Sequence, residues 1–174
     1  MEIFKFGGAS VKDAAGVKNV LEVLKTVGHE NVLLVISAMG KTTNALEIVI
    51  KNYFDKSNAL YASLQDIRKY HNQILLDLFE DEEHEVFFDI NAHFDDLEYF
   101  VRSNKSPNYP FVYDQIISIG ELVSTTIVSH YLNFSGISNQ WLDVRQYIKT
   151  DNNYRDANVD WEHTQKLISK INRK

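Results

Sequence analysis

The chain has no cysteine in its 174 residues, which excludes disulfides, thiolate catalysis and zinc–thiolate sites. That absence suits a reducing compartment, and a cytoplasmic location is the expectation. Long hydrophobic runs are missing too. The longest lies around Val32–Met39, far short of the roughly 20 residues a membrane-spanning helix needs. No targeting signal is read at the amino end, where Met1 leads directly into a strand-like stretch carrying Lys5. Basic residues (18) are outnumbered by acidic ones (24), for a net charge of −6. Such a balance gives no broad electrostatic footprint for nucleic acid or an anionic membrane, so neither is an expected partner. An anionic ligand must be held by local groups. The six histidines (His29, His71, His84, His93, His130, His163) are scattered, with no pair at metal-ligand spacing on a common face. They read as surface or satisfied core residues, and no metal centre is expected.

What is present is ordinary for a soluble globular domain: 44% hydrophobic and 24% charged residues, long enough to bury a real core. Ile3 to Phe6 reads as a short strand ending in a Gly-Gly turn. A helix follows with Val17, Val20, Leu21, Leu24 and Val27 at helical spacing, closed by Gly28. Ser10, with Asp13 three residues on, supplies a capping-box signature at its start. Val32 to Ile36 is an unbroken apolar run of the kind expected in a central parallel strand covered on both faces. Strand, turn, helix, strand is a βαβ unit.

After a polar loop, Leu46, Val49, Ile50 and Tyr53 mark a further helix. From about Ser57 to Ser103 the pattern is helical throughout, in two stripes. Leu60, Leu64, Ile67, Ile74 and Leu78 form the first; Val86, Ile90, Phe94, Leu97 and Val101 form the second. The acidic run Glu80–Glu85 between them reads as a solvated corner. The only two prolines, Pro107 and Pro110, break this arm from the next helix, which carries Ile116, Val123, Ile127 and Tyr131. Trp141–Val144 reads as a weaker third strand, and a last helix carries Leu167, Ile168 and Ile171. The expected class is α/β, mainly a parallel sheet with an inserted helical arm over about 57–110. Three strands are few for so many helices, which suggests a sheet that is not complete within this chain.

Four segments could carry chemistry. Lys5-Phe6-Gly7-Gly8-Ala9-Ser10 joins a strand end, two glycines and a helix start. Glycine lets the backbone approach an anion, and a helix start offers unpaired N–H groups. It is not a Walker A sequence. Spacing leaves a phosphate cradle and a plain Gly-Gly turn equally open. The second segment, Ser37 to Asn44, stands where open α/β sheets bind ligands, and equally fits a polar turn with Thr43 or Asn44 capping a helix. In Ser118–Ser124, Glu121 could meet a ligand ammonium, with Gly120 leaving room; Ser118 and Glu121 also match a capping box. Asp143 and Arg145, in the fourth segment, fit a structural ion pair better than a site.

Together these segments resemble the aspartokinases of the amino-acid kinase family. Lys5–Val11 (KFGGASV) is similar to that family's opening signature, usually written with Thr where Ala9 stands. Ser37–Leu46 (SAMGKTTNAL), Ser118–Ser124 (SIGELVS) and Trp141–Arg145 with Thr150-Asp151 are similar to its next three, in order. The resemblance implies a partial three-layer αβα sandwich of the amino-acid kinase type. It implies a transferase that moves the γ-phosphoryl group of ATP, with Mg2+, to the side-chain carboxylate of L-aspartate. The product is 4-phospho-L-aspartate, the first step toward lysine, threonine and methionine.

By the same resemblance, Lys5 is catalytic, and Lys5, Gly7, Gly8 and Ser10 hold phosphate. Ser37, Ala38, Met39, Thr43 and Glu121 bind aspartate. The family's Gly-Arg-Gly-Ser-Asp type segment, most of its adenine-nucleotide pocket and its ACT-type regulatory domains have no counterpart in residues 1–174. The expectation is therefore the N-terminal part of a catalytic domain, inactive alone, with a homodimer as the assembly to test. Competing readings are a non-catalytic α/β interaction module and a related kinase acting on glutamate or acetylglutamate.

Overall fold

A computed structural model describes residues 1–171. Asn172, Arg173 and Lys174, the end of the span read as one domain, lie outside the described residues. The order begins with strand β1 (Glu2–Phe6), a 3-10 turn (Gly8–Val11), helix α1 (Ala14–Val27) and strand β2 (Val32–Ile36). Helices α2 (Thr42–Phe54), α3 (Leu60–Leu78), α4 (Glu85–Ser103), α5 (Tyr109–Ile117) and α6 (Ile119–Phe134) follow. Two further 3-10 turns (Val144–Gln146 and Tyr154–Asp156) lead to α7 (Trp161–Ile168).

The βαβ unit forms as its pattern requires. β1 and β2 pair in parallel, Glu2 opposite Val32 through Phe6 opposite Ile36. Asp13, not Ser10, caps α1: its carboxylate accepts from the Gly16 N–H at 2.8 Å. Ser10 instead sits in the preceding 3-10 turn, its N–H donating to the Gly7 carbonyl at 2.8 Å. The capping-box reading thus picked the right pair of residues but the wrong cap, because a carboxylate immediately before the helix captures the orphan amide. Gly28, at φ +98°, ends α1 as read.

Two expectations about the sheet are corrected. Among the described residues, β2 is covered on one face only. Val32, Leu34 and Ile36 turn inward with Phe4 and Phe6 against the core, while Leu33 and Val35 remain 38% and 42% exposed beside Ile3 at 61%. An unbroken apolar run does not reveal whether both faces find partners, since alternate side chains point to opposite sides. Trp141–Val144 is not a strand. Asp143 caps the 3-10 turn that begins at Val144, accepting from the Arg145 N–H at 3.0 Å, and Trp141 anchors its indole N–H on the Thr125 hydroxyl at 2.9 Å. Trp141–Asp143 pair with no strand among the described residues, and the chain turns from Val144 on.

The remaining mass is helical. α3 and α4 form the arm, joined by a corner in which His84 caps α4 with its ring nitrogen. α5 and α6 run into each other through Ser118, which keeps helical angles and makes no side-chain cap, so the Ser118–Glu121 capping box is not realised. Tyr109–Phe134 is apolar and long enough to cross a membrane by length and composition, yet 56% of its apolar window is buried inside the protein. It is the helix around which the core assembles: Val123 and Ile127 are fully enclosed, and it packs against α1, α2, α4 and β2.

Candidate functional site

Both strands point their carboxyl ends the same way, so the loops after them emerge side by side. The ladder continues one step beyond the strands, with the Ser37 N–H donating to the Phe6 carbonyl at 3.0 Å. Farther out, the Gly40 N–H donates to the Gly8 carbonyl at 2.9 Å. Gly8 is required here for space: a Cβ on it would lie 2.6 Å from the Ala38 carbonyl oxygen. Backbone cannot yield as a flexible side chain can, so any larger residue must separate the loops. Gly40 is favoured by its φ of +55°, and a Cβ there would also press on the Tyr70 hydroxyl, 2.6 Å away.

The amino end of α6 reaches this junction. Glu121 accepts from the Ala38 N–H at 3.3 Å, and Ser124, one turn later on the same face, donates its hydroxyl to the Ser37 carbonyl at 2.7 Å. Gly120 lets the helix approach, since a Cβ there would lie 2.9 Å from the Ala38 methyl group. Glu121 is otherwise exposed, which leaves its second carboxylate oxygen open to solvent.

The structure therefore brings together Gly7, Gly8, Ser10, Ser37, Ala38 and Glu121. Lys5 stands on the exposed face of β1, opposite Val35 and two residues before the glycines. Thr43 is exposed in the first turn of α2. Met39 differs: its side chain is wholly buried in the core, so it can offer a ligand only its backbone. Neither Thr43 nor Asn44 caps α2, whose N-cap is Lys41; Thr42 is buried and donates to the Met39 carbonyl at 2.6 Å. Asp143 and Arg145 form a bidentate pair, with Arg145 Nη2 at 2.7 Å and Nε at 2.9 Å from the carboxylate. The guanidinium holds the Asp143 carboxyl below the usual carboxylate range.

Sequence reasoning missed Tyr70 and His71, which reach the loops from α3. No local pattern could have found them, because their partners lie 58 and 29 residues away. Ser124 was detectable in principle from its spacing of three from Glu121. Two shallow concavities, along α7 (Asp160, His163, Lys166) and at the amino end of the sheet (Glu2, Gly28, Glu30), contain none of these residues. The site is an open ledge of backbone amides with the Glu121 carboxylate beside it and Lys5, Lys12 and Lys41 on the strand and loops that form it. It can present N–H groups to an anion and a carboxylate to a cation. Among the described residues, no group of three or more His, Asp or Glu could hold a metal ion.

The chain is similar to known proteins along most of its length. The chain is 27% identical over 150 residues to a bifunctional aspartokinase/homoserine dehydrogenase 2 of Escherichia coli, covering 86% of this chain and 18% of that protein. It is 28% identical over 158 residues to an aspartokinase of Chlamydia trachomatis, covering 91% of this chain and 34% of that protein. The fold matches the crystal structure of E. coli aspartokinase III in complex with aspartate and ADP, with a TM-score of 0.84 and 24% identity. That match covers 97% of this chain and 37% of the larger one. The chain thus spans well under half the length of the relatives it matches. The model of the amino acid kinase family matches residues 1–173, and the chain belongs to that family.

Proposed function

We propose that this chain supplies the phosphate loop and the aspartate loop of an aspartokinase. In that reaction the γ-phosphoryl group of magnesium-bound ATP passes to the side-chain carboxylate of L-aspartate, giving 4-phospho-L-aspartate and ADP. The observation that carries the reading is the contact of the two loops at the carboxyl ends of β1 and β2, closed by the Gly40–Gly8 hydrogen bond at 2.9 Å with Glu121 beside it. Open α/β sheets bind ligands at that place. The relatives named above, one of them solved with aspartate and ADP, support the choice of substrates.

The chemistry asks little of the protein beyond position and charge. An aspartate carboxylate is ionised near neutral pH, so the nucleophile needs no general base. In this reading the Lys5 ammonium neutralises charge on the transferring phosphoryl group. Amides around Gly7, Gly8 and Ser10 hold its oxygens, and the free oxygen of Glu121 receives the substrate ammonium. Ser37, the Ala38 and Met39 backbone and Thr43 line the aspartate side. Magnesium arrives with the nucleotide as part of the substrate. The reaction belongs in the cytoplasm, and a homodimer is its proposed assembly.

The loops of the described residues form an open ledge, and turnover by the isolated chain is expected to stay at background. A coupled assay of ADP release with ATP, magnesium and L-aspartate tests this; clear turnover by the chain alone would overturn it. The site itself is tested by amide chemical-shift mapping. L-aspartate should perturb residues 37–43 and Glu121 more strongly than L-glutamate does. Equal responses to both, or shifts confined to other surfaces, would count against the substrate.

A further inference from the structure

Two consecutive residues of the arm touch both site loops. The Tyr70 hydroxyl donates to the carbonyl of Lys12, just past the phosphate loop. The same oxygen occupies the space a Cβ on Gly40 would need, against the crest of the aspartate loop. The phenol is thus wedged where the loops meet. His71 is fully buried and works one layer below. Its Nδ1 lies 2.8 Å from the Ile67 carbonyl, which can only accept, so Nδ1 carries the proton and Nε2 is left with a lone pair. Nε2 lies 3.4 Å from the Thr42 hydroxyl, whose one proton goes to the Met39 carbonyl at 2.6 Å, so the ring supports Thr42 by packing. The two rings pack edge to face, their centroids 4.9 Å apart.

We propose that Tyr70 and His71 are positioning residues through which the helical arm sets the spacing of the two site loops, an inference resting on the reading of those loops as the kinase site. Neither residue stands on a site loop. Tyr70 acts on Lys12 and Gly40 directly, and the His71 ring packs beneath Thr42, whose hydroxyl holds the Met39 carbonyl. Movement of α3 would therefore shift the two loops relative to each other.

Amide hydrogen exchange on the 15N-labelled chain tests this without any ligand. Tyr70→Phe removes one hydroxyl and keeps the ring. It should speed exchange of the Gly40 amide, which bonds Gly8, by roughly tenfold, while protected amides of α4 and α6 keep their rates. Thr42→Val should release the same loop amides, and Thr42→Ser, which restores the hydroxyl, should return them to the parent rates. In the parent chain at neutral pH, His71 should show one protonated and one lone-pair ring nitrogen by 15N shift. Unchanged Gly40 exchange in Tyr70→Phe, failure of Thr42→Ser to rescue, or a parallel rise throughout α4 and α6 would overturn the proposal. Because no ligand enters these measurements, a chain that ignores aspartate and ATP would count against the kinase reading alone.

Discussion

The two faces of the β1–β2 sheet have nearly the same chemistry and opposite fates. Phe4, Phe6, Val32, Leu34 and Ile36 face the helices, and Ile36 retains 7% of its surface. Ile3, Leu33 and Val35 face away and keep 61%, 38% and 42%. Residue type does not separate the faces, since β-branched and apolar side chains occur on both. What separates them is whether a helix lies opposite. Lys5, the proposed catalytic lysine, shares the face that the described residues leave open.

The largest expected difference lies between core and open-face substitutions. Ile36→Ala should cost about 2–5 kcal/mol, as removal of buried branched side chains does. Val35→Thr, one residue along on the other face, should stay within about 0.5 kcal/mol. Urea unfolding of both variants gives the comparison directly; similar losses would mean that the outer face is covered in solution.

Acid should act on the buried side through His71. Burial lowers the His71 pKa from 6.5 to about 4, against the opposing pull of its bond to the Ile67 carbonyl. The unfolded chain takes up this proton near pH 6.5 and the folded chain only near 4, so between those values the unfolded state holds more protons. Stability should therefore fall as pH drops through 6.5 and level off below about 4, by about 3 kcal/mol from this group. Unfolding midpoints across pH 7 to 4 for the parent and a His71→Gln variant test it. The variant should lose part of the slope, and an unchanged slope would assign the acid sensitivity to carboxylates.

Gly8→Ala probes the junction where the faces meet the loops. A methyl group there meets the Ala38 carbonyl, so the variant should lose about 1–3 kcal/mol and show faster exchange of the Gly40 amide. Gly7→Ala is its control, since a Cβ on Gly7 meets nothing within 4 Å, and should change stability little. The smallest effect on stability is expected from charging the open face. Leu33→Lys with Val35→Lys should leave the unfolding midpoint nearly unchanged and reduce self-association at high concentration, measured by sedimentation. A large drop in stability would show that the face is buried against something in solution.

Much of the fold was legible because it is written in local periods. The 3.6-residue stripes of Val17–Val27, Leu60–Leu78 and Val86–Val101 became α1, α3 and α4, and Gly28 ended its helix as read. The misreadings share one cause. Asp13 over Ser10 as a cap, Lys41 before α2, a turn in place of a strand after Asp143, and one bare sheet face all depend on which partner wins. A sequence window contains the candidates but not the competition.

The site divides the same way. The sequence by itself determined that two glycine-bearing loops follow two strands, that Lys5 and Glu121 stand near polar segments, and that thiol and metal–thiolate chemistry are excluded. Only the tertiary structure decided that Gly8 and Gly40 touch, that Glu121 and Ser124 grip residues 37 and 38, that Met39 turns into the core, and that Tyr70 and His71 reach both loops from the arm. The physical reason is range. Strand and helix periods repeat within a few residues, whereas these contacts join residues 29 to 87 positions apart and exist only once the core has closed around α6.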